Sequence, residues 1–275
     1  MELEIIRTIQ GISSPFLDSF FKLVTILGEE IFIIPLLALI YWGLDKKLGE
    51  IVAFTVFTSY LFNNSLKDLF RFERPIGKEG IRTLRAGTAT GYSFPSGHAQ
   101  GSAALMGSLS LYLRKRSIYL LSTVTILLVG FSRLYLGVHY PKDVLAGIVL
   151  GLMTSYLCAL LFKKADNRKL YAVVLGVSVL ALSFSPSLDF IKAIGSYAGF
   201  FLGIHLEKRY VNFSTDGTWL KKTLRVGIGI ALLLGIKVGL KALFPDELFF
   251  HFIRYFILTF FAIGLYPALF KKLNL

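Results

Sequence analysis

Lys67 with Arg74-Pro75, then Pro95-Ser96-Gly97-His98, then Ser132-Arg133 with His139 and Asp143 stand in that order along the chain. Together they supply three fixed cations, two imidazoles, and a carboxylate placed shortly after one imidazole. Such a set can hold a phosphate dianion, attack it at phosphorus and protonate the group that leaves.

Each piece also has a plainer account. Lys67 closes a long apolar run, Arg74 follows it, and Pro75 stops further helix. Arg133 sits near the end of another apolar run. An Arg fork matches phosphate oxygens and a Lys adds a point charge; alone, each could simply snorkel to headgroups. Pro95-Ser96-Gly97 reads as a loop opening a helix, whose free amides and dipole make an anion site. There Ser96 either caps the helix or gives its hydroxyl to phosphate, and Gly97 allows close approach of the backbone. His98 falls in the first turn, facing the same anion; alone, it is a histidine beside a cap. Asp143, just after Pro141, opens the next helix and can reach back to His139. A carboxylate on one ring nitrogen fixes the tautomer and leaves the other nitrogen as nucleophile. A surface histidine beside a helix-capping aspartate is the simpler alternative, and Asp143 can do both jobs.

The rest of the chain says where that chemistry happens. Of 275 residues, 55% are hydrophobic and 15% aromatic, while only 17% are charged; soluble domains average about 25% charged. Mean hydropathy is +0.65. Long apolar runs recur from end to end, so the chain reads as an integral membrane protein and the phosphate as a lipid's. The net charge of +13 argues weakly for nucleic acid, because the cations sit in short clusters between apolar runs and no recognition module is present. Nucleic acid is therefore not an expected partner. The single cysteine, Cys158, excludes an intramolecular disulfide and reads as a small buried hydrophobe. The start Met1-Glu2-Leu3-Glu4 lacks the basic region of a cleaved signal peptide.

The pattern predicts an all-α polytopic bundle. Helices are expected over 15–27, 29–44, 48–70, 97–113, 117–136, 143–162, 169–184, 188–206, 222–243 and 247–270. The first is short and carries Asp18 and Lys22, so it lies in the interface or spans obliquely. With about 20 residues needed per crossing, about nine transmembrane helices are expected. The turns at Lys46-Lys47, Arg114-Lys115-Arg116, Lys163 to Lys169, Lys208 to Lys222 and the tail Lys271-Lys272 alternate with turns at Ser185-Pro186-Ser187 and Phe244 to Glu247 that lack Lys and Arg. The positive-inside rule puts the first set in the cytoplasm. All three reactive pieces then face the periplasm, cell exterior or a lumen. A loose division near Lys163 to Lys169 separates a catalytic core, 1–165, from additional C-terminal transmembrane helices, 166–275.

Taken together, Lys-x6-Arg-Pro, Pro-Ser-Gly-His and Ser-Arg-x5-His-x3-Asp resemble the three signature motifs of the type 2 phosphatidic acid phosphatase (PAP2) superfamily. That superfamily includes membrane lipid phosphatases, glucose-6-phosphatase and soluble vanadium haloperoxidases. Every signature position is present between Lys67 and Asp143. Leu27-Gly28-Glu29 before the second helix, and the extra helices after the core, also resemble the sphingosine-1-phosphate phosphatase branch. The resemblance implies a metal-independent hydrolase that uses no cofactor. His139 would form a phosphohistidine, Asp143 would orient it, and His98 would protonate the leaving group and then activate water. Lys67, Arg74, Ser96, the Gly97 amide and Arg133 would hold the phosphate oxygens.

The expected partners are a lipid phosphate and the membrane lipids. The C-terminal helices are candidates for self-association into a homo-oligomer. A lipid phosphotransferase would use the same site with another acceptor. A non-enzymatic transporter or scaffold would suit the many helices, but no inverted repeat or matched pair of broken helices is evident. A haloperoxidase would need vanadate, and the apolar spans argue against it. The loop with Lys78, Arg82 and Arg85 is expected either to attract anionic headgroups or to be a solvated face. Tyr135 and Tyr140 line the pocket or sit in an aromatic belt. His205 and His251 read as structural, and Asn63 and Asn64 as bonding to neighbouring helices.

Overall fold

In the computed structural model, residues 1–273 and 275 are described, together with every side chain in them except that of Lys271. That side chain, part of the tail cluster invoked for orientation, therefore lies outside the described residues. Every regular element among them is helical: α1 (Glu2–Gly11), α2 (Pro15–Val24), α3 (Glu30–Leu39), α4 (Lys46–Phe70), α5 (Gly97–Leu113), α6 (Arg116–Tyr135), α7 (Pro141–Lys164), α8 (Asn167–Ala181), α9 (Leu188–Leu206), α10 (Trp219–Leu243), α11 (Leu248–Phe260) and α12 (Leu269–Lys272). π-helical turns extend α3, α9 and α11, and a 3-10 turn, Thr25–Gly28, follows α2.

Among the described residues, four segments are long and apolar enough to cross a membrane: Arg116–Tyr135, Pro141–Lys164, Trp219–Leu243 and Leu248–Ala268. Pro15–Gly28 and Glu30–Leu44, bent by 49°, make a fifth if they form one broken span. This is fewer than the nine or so read from the sequence. The reason lies in the shorter and more polar helices. α5 and α8 have 17 and 15 residues, below the usual crossing length. α4 is long but carries Lys46, Lys47, Glu50, two asparagines, Lys67 and Asp68.

The chain divides into two compact units: residues 1–33 with 62–159, and residues 34–61 with 160–275. The sequence placed one break near residue 165; the C-terminal helices also gather residues 34–61 into their unit.

The first unit contains all three reactive pieces. Its core packs Phe21 and Val24 of α2 on Tyr135, Leu136 and Val138. α5 and α6 are joined by Ser110 Oγ donating to Ser122 Oγ at 2.8 Å, and by Ser122 Oγ donating to the Met106 carbonyl. α7 lies close on the start of α5. A Cβ at Gly147 would stand 2.7 Å from the Ser96 carbonyl oxygen, so only glycine lets the two backbones approach this far.

α1, which the sequence reading missed because it is short and half polar, fastens the loop before α5. Gln10 Nε2 donates to Arg82 O (2.6 Å) and Tyr135 O (2.9 Å), and Gln10 Oε1 accepts from Arg82 N. In the second unit, Gly195, Gly199 and Gly203 of α9 pack against Phe252, Phe256 and Ile263 of the helix that includes α11. Lys46 pairs with buried Glu207 and Lys208 with buried Glu50, the arrangement that makes buried charge tolerable.

Candidate active site

Four elements and two turns of the first unit carry the expected residues. Lys67 is in the last turn of α4, and Arg74 follows in the loop. Ser96 is the N-cap of α5, with Gly97 and His98 in its first turn. Arg133 is in the last turn of α6, His139 in the following turn, and Asp143 in the first turn of α7. The Ser96 amide donates to the Asp143 carbonyl at 2.9 Å, which ties the second piece directly to the third.

His139 is buried. Its Nδ1 lies 3.3 Å from Asp143 Oδ2, and its Nε2 lies 2.9 Å from Arg74 Nη1. A guanidinium only donates. Nε2 is therefore the acceptor, and the ring proton sits on Nδ1, facing the carboxylate. This is the tautomer a nitrogen nucleophile requires. Burial first, and then the cations Arg74, Lys67 and Arg133, hold the His139 imidazole well below its usual range. The ring is neutral at neutral pH.

Asp143 Oδ2 is itself held from two further sides. Ser93 Oγ donates to it at 2.5 Å and the Tyr140 amide at 2.9 Å. Ser93 was passed over because a serine three positions before another serine carries no signal of its own; its partner lies fifty residues on.

The cations are placed differently from one another. Arg74 is locked into backbone: Nε donates to Gly91 O, Nη1 to Val138 O, and Nη2 to Thr90 O and Tyr92 O. Nη1 also covers His139 Nε2. A phosphorus approaching Nε2 must displace that contact. Lys67 Nζ donates to the Tyr92 carbonyl. Arg133 is fully buried and gives Nη1 to Thr25 Oγ1 at 2.6 Å. Its Nε and Nη2 are buried and find no acceptor among the described residues, and neither does Ser96 Oγ. Buried donors left over in this way are rare and call for an acceptor. A tetrahedral oxyanion suits a planar fork and a hydroxyl at a helix N-terminus.

The PAP2 superfamily model matches residues 49–167. The model for the transmembrane extension of PAP2 superfamily phosphatases matches residues 191–275. Phosphatidylglycerophosphatase B of Bacillus subtilis is 31% identical over 159 residues, covering 53% of this chain and 75% of that one. The chain belongs to the PAP2 superfamily. As a PAP2 protein it is a membrane phosphatase by family. It is 32% identical to undecaprenyl-diphosphatase BcrC of Bacillus subtilis over 161 residues, 57% of this chain and 82% of that one. Sphingosine-1-phosphate phosphatase 1 of mouse is 29% identical over 255 residues, 80% of this chain and 59% of that one. The crystal structure of Aquifex aeolicus LpxE superposes with a TM-score of 0.53 at 28% identity, covering 57% of this chain and 94% of that one.

Two expectations for this PAP2 chain change. The basic loop is not a free headgroup attractor. Arg82 forms two 2.7 Å bonds to Asp18, and Arg85 is ion-paired with Glu29. Lys78 pairs loosely with Glu73 at the surface. Tyr135 is core rather than pocket lining, with its hydroxyl on Asp18 at 2.6 Å. Asn63 bonds as expected, donating from Nδ2 to Gln100 Oε1 at 2.8 Å. Cys158 is buried, and His251 lies on Asp246 at 2.7 Å, outside the site.

Proposed function

We propose that this PAP2 protein hydrolyses a lipid phosphomonoester or diphosphate through a phosphohistidine on His139. The observation that carries this reading is the His139 geometry: Nδ1 toward Asp143, and the lone pair of Nε2 directed away toward the cations. In the first step Nε2 attacks phosphorus and the bond from phosphorus to the leaving oxygen breaks. His98 delivers the proton that the leaving oxygen needs. Asp143 stabilises the positive charge that develops on the ring. Arg133, Ser96 Oγ and the Gly97 amide hold the equatorial oxygens, and Arg74 and Lys67 add positive charge. In the second step water attacks phosphorus, His98 takes its proton, and the P–N bond breaks to return neutral His139 and inorganic phosphate.

The substrate class rests on the family and on the apolar helices around the site. The similar proteins are named for a phosphatidylglycerophosphate, an undecaprenyl diphosphate and a sphingoid phosphate, which share a phosphate on a long apolar tail. Residues 1–165 carry the reaction, and 166–275 add membrane helices. The clusters of Lys and Arg in alternate turns favour a site on the extracytoplasmic face.

Phosphate release by detergent-purified protein across lipid phosphates and diphosphates, with EDTA present, tests the proposal. Release is expected to persist in EDTA and to vanish in His139→Ala. Near-wild-type release by that variant would sink it.

A further inference from the structure

The turn between α2 and α3 is seated on His98. A Cβ at Gly28 would lie 3.0 Å from the His98 carbonyl oxygen, 3.1 Å from His98 Cβ and 3.0 Å from Val129 Cγ1. A Cβ there would require its neighbours to give by a few tenths of an ångström. The next residue, Glu29, is extended (φ −101°, ψ 157°), and its side chain runs back along the imidazole. Glu29 Oε1 lies 3.6 Å from His98 Nε2, and both side chains are about 15% exposed, at 14% and 15%. Neither of these two buried atoms has a hydrogen-bond partner among the described residues; Nε2 faces Oε1, which also lies beside the Arg85 guanidinium.

The carboxylate is fixed from its far side. Arg85 Nη2 lies 2.8 Å from Glu29 Oε1 and donates to Oε2 at 2.9 Å. Arg85 Nη1 donates to the Lys22 carbonyl at 2.9 Å, which anchors the fork to α2. The same turn also holds Arg133, through Thr25 Oγ1. The charged groups acting on His98 are thus Glu29 on one side and Arg133 and Arg74 on the other, with Arg85 behind Glu29 and His139 across the site. Burial first, and then the cations Arg133 and Arg74, push the His98 imidazole down to about 4, and Glu29 works against them. An acid must carry its proton, and Glu29 is the one carboxylate in this group.

We propose that Glu29 is a positioning residue for His98: its carboxylate holds the imidazole at Nε2 and sustains the protonated ring that serves the leaving oxygen. The inference rests on the role given to His98 under Proposed function. It also gives the site two imidazole–carboxylate pairs with opposite tasks. His139–Asp143 keeps a neutral ring with its lone pair outward, and Glu29 shifts His98 toward the form that can give a proton.

The test compares Glu29→Gln with wild type on two substrates. One is an alkyl phosphate, whose alkoxide needs a proton to leave. The other is an aryl phosphate, whose phenolate leaves without one. kcat/KM reports phosphoryl transfer to His139 in both cases. Glu29→Gln is expected to lower kcat/KM for the alkyl phosphate by about 10- to 100-fold, the lower range of acid–base contributions, and to leave the aryl phosphate nearly unchanged. The alkaline limb of the alkyl profile should also move about one pH unit lower, because loss of a carboxylate weakens the imidazolium. Equal losses on both substrates, or an unmoved limb, overturn the proposal. Glu29→Asp, which keeps the charge but draws it back from Nε2, should show the same substrate contrast in smaller measure if Glu29→Gln fails to fold. His139→Ala is run alongside. If it stays active, the phosphohistidine reading itself fails; if it is dead while Glu29→Gln behaves as wild type, only the role of Glu29 falls.

Discussion

Asp143→Asn offers the sharpest test of the catalytic geometry, because it removes a charge and leaves the shape. Asp143 Oδ2 accepts from Ser93 Oγ at 2.5 Å and Tyr140 N at 2.9 Å, and faces His139 Nδ1 at 3.3 Å. An amide there keeps one oxygen acceptor. If the oxygen stays on the Tyr140 amide, the His139 contact survives only as a neutral one. A hydrogen bond to a charged group is worth about 1.5–3 kcal/mol and a neutral one about 0.5–1.5. If the amide turns its NH2 toward Nδ1, the ring proton moves to Nε2. That proton then opposes the Arg74 Nη1 donor, 2.9 Å away, and the nucleophile is lost. The corresponding change at a serine-protease triad lowers kcat about 10⁴-fold through the wrong tautomer. The expected loss here is 10²–10⁴-fold, about 2.7–5.4 kcal/mol at 1.36 kcal/mol per decade. Phosphate release and acid-stopped trapping of the phosphoenzyme both read it, with thermal unfolding as the check on folding. Ser93→Ala removes one of the three bonds and should cost about 10- to 100-fold, the scale of a single hydrogen bond to a charged group. The two changes should be far from additive, since they act on one oxygen. Asp143→Asn within tenfold of wild type, or Ser93→Ala more damaging than Asp143→Asn, would refute the assigned tautomer.

Two other outcomes follow from the same structure. Burial and three cations hold His139 well below the ordinary imidazole value, about 6.5 in model peptides. A lowered pKa keeps the nucleophile unprotonated as pH falls, so the acid limb of kcat/KM should lie well below pH 6.5 and move upward in Arg74→Gln, where one cation is gone. A wild-type acid limb at or above 6.5 contradicts this. Gly147→Ala places a methyl 2.7 Å from the Ser96 carbonyl oxygen, and overpacking of this kind costs about 1–3 kcal/mol. Thermal unfolding in detergent should show that loss together with reduced turnover, because α7 presses on the N-cap of the site helix; unchanged stability would remove the close contact from the argument.

Residue type and local periodicity settle much of this protein. Apolar runs bounded by charged turns determine membrane helices, because a helix buries or exposes its side chains through neighbours three and four residues away. The three reactive pieces are likewise legible, since Lys67, Arg74, Ser96, Gly97, His98, Arg133, His139 and Asp143 combine cations, imidazoles and a carboxylate at short, regular spacings. Contacts between distant segments are another matter. Nothing near Gln10 in the sequence shows that it fastens the Arg82 backbone, 72 positions away, and nothing near Glu29 points to His98. The arginines of the loop read as free charge until folding places Asp18 and Glu29 against them. Arg74 reads as a phosphate ligand, and only the fold shows that its fork also rests on loop carbonyls and on His139. The free nitrogen of that histidine is a tertiary decision too. The ring is chemically symmetric enough to use either nitrogen, and only the carboxylate on one side and the guanidinium on the other choose between them. Composition and spacing determine what chemistry is available, because they act through neighbours in the chain; the packing of segments far apart determines which atom performs it, because hydrogen bonds and charges act only at contact distance.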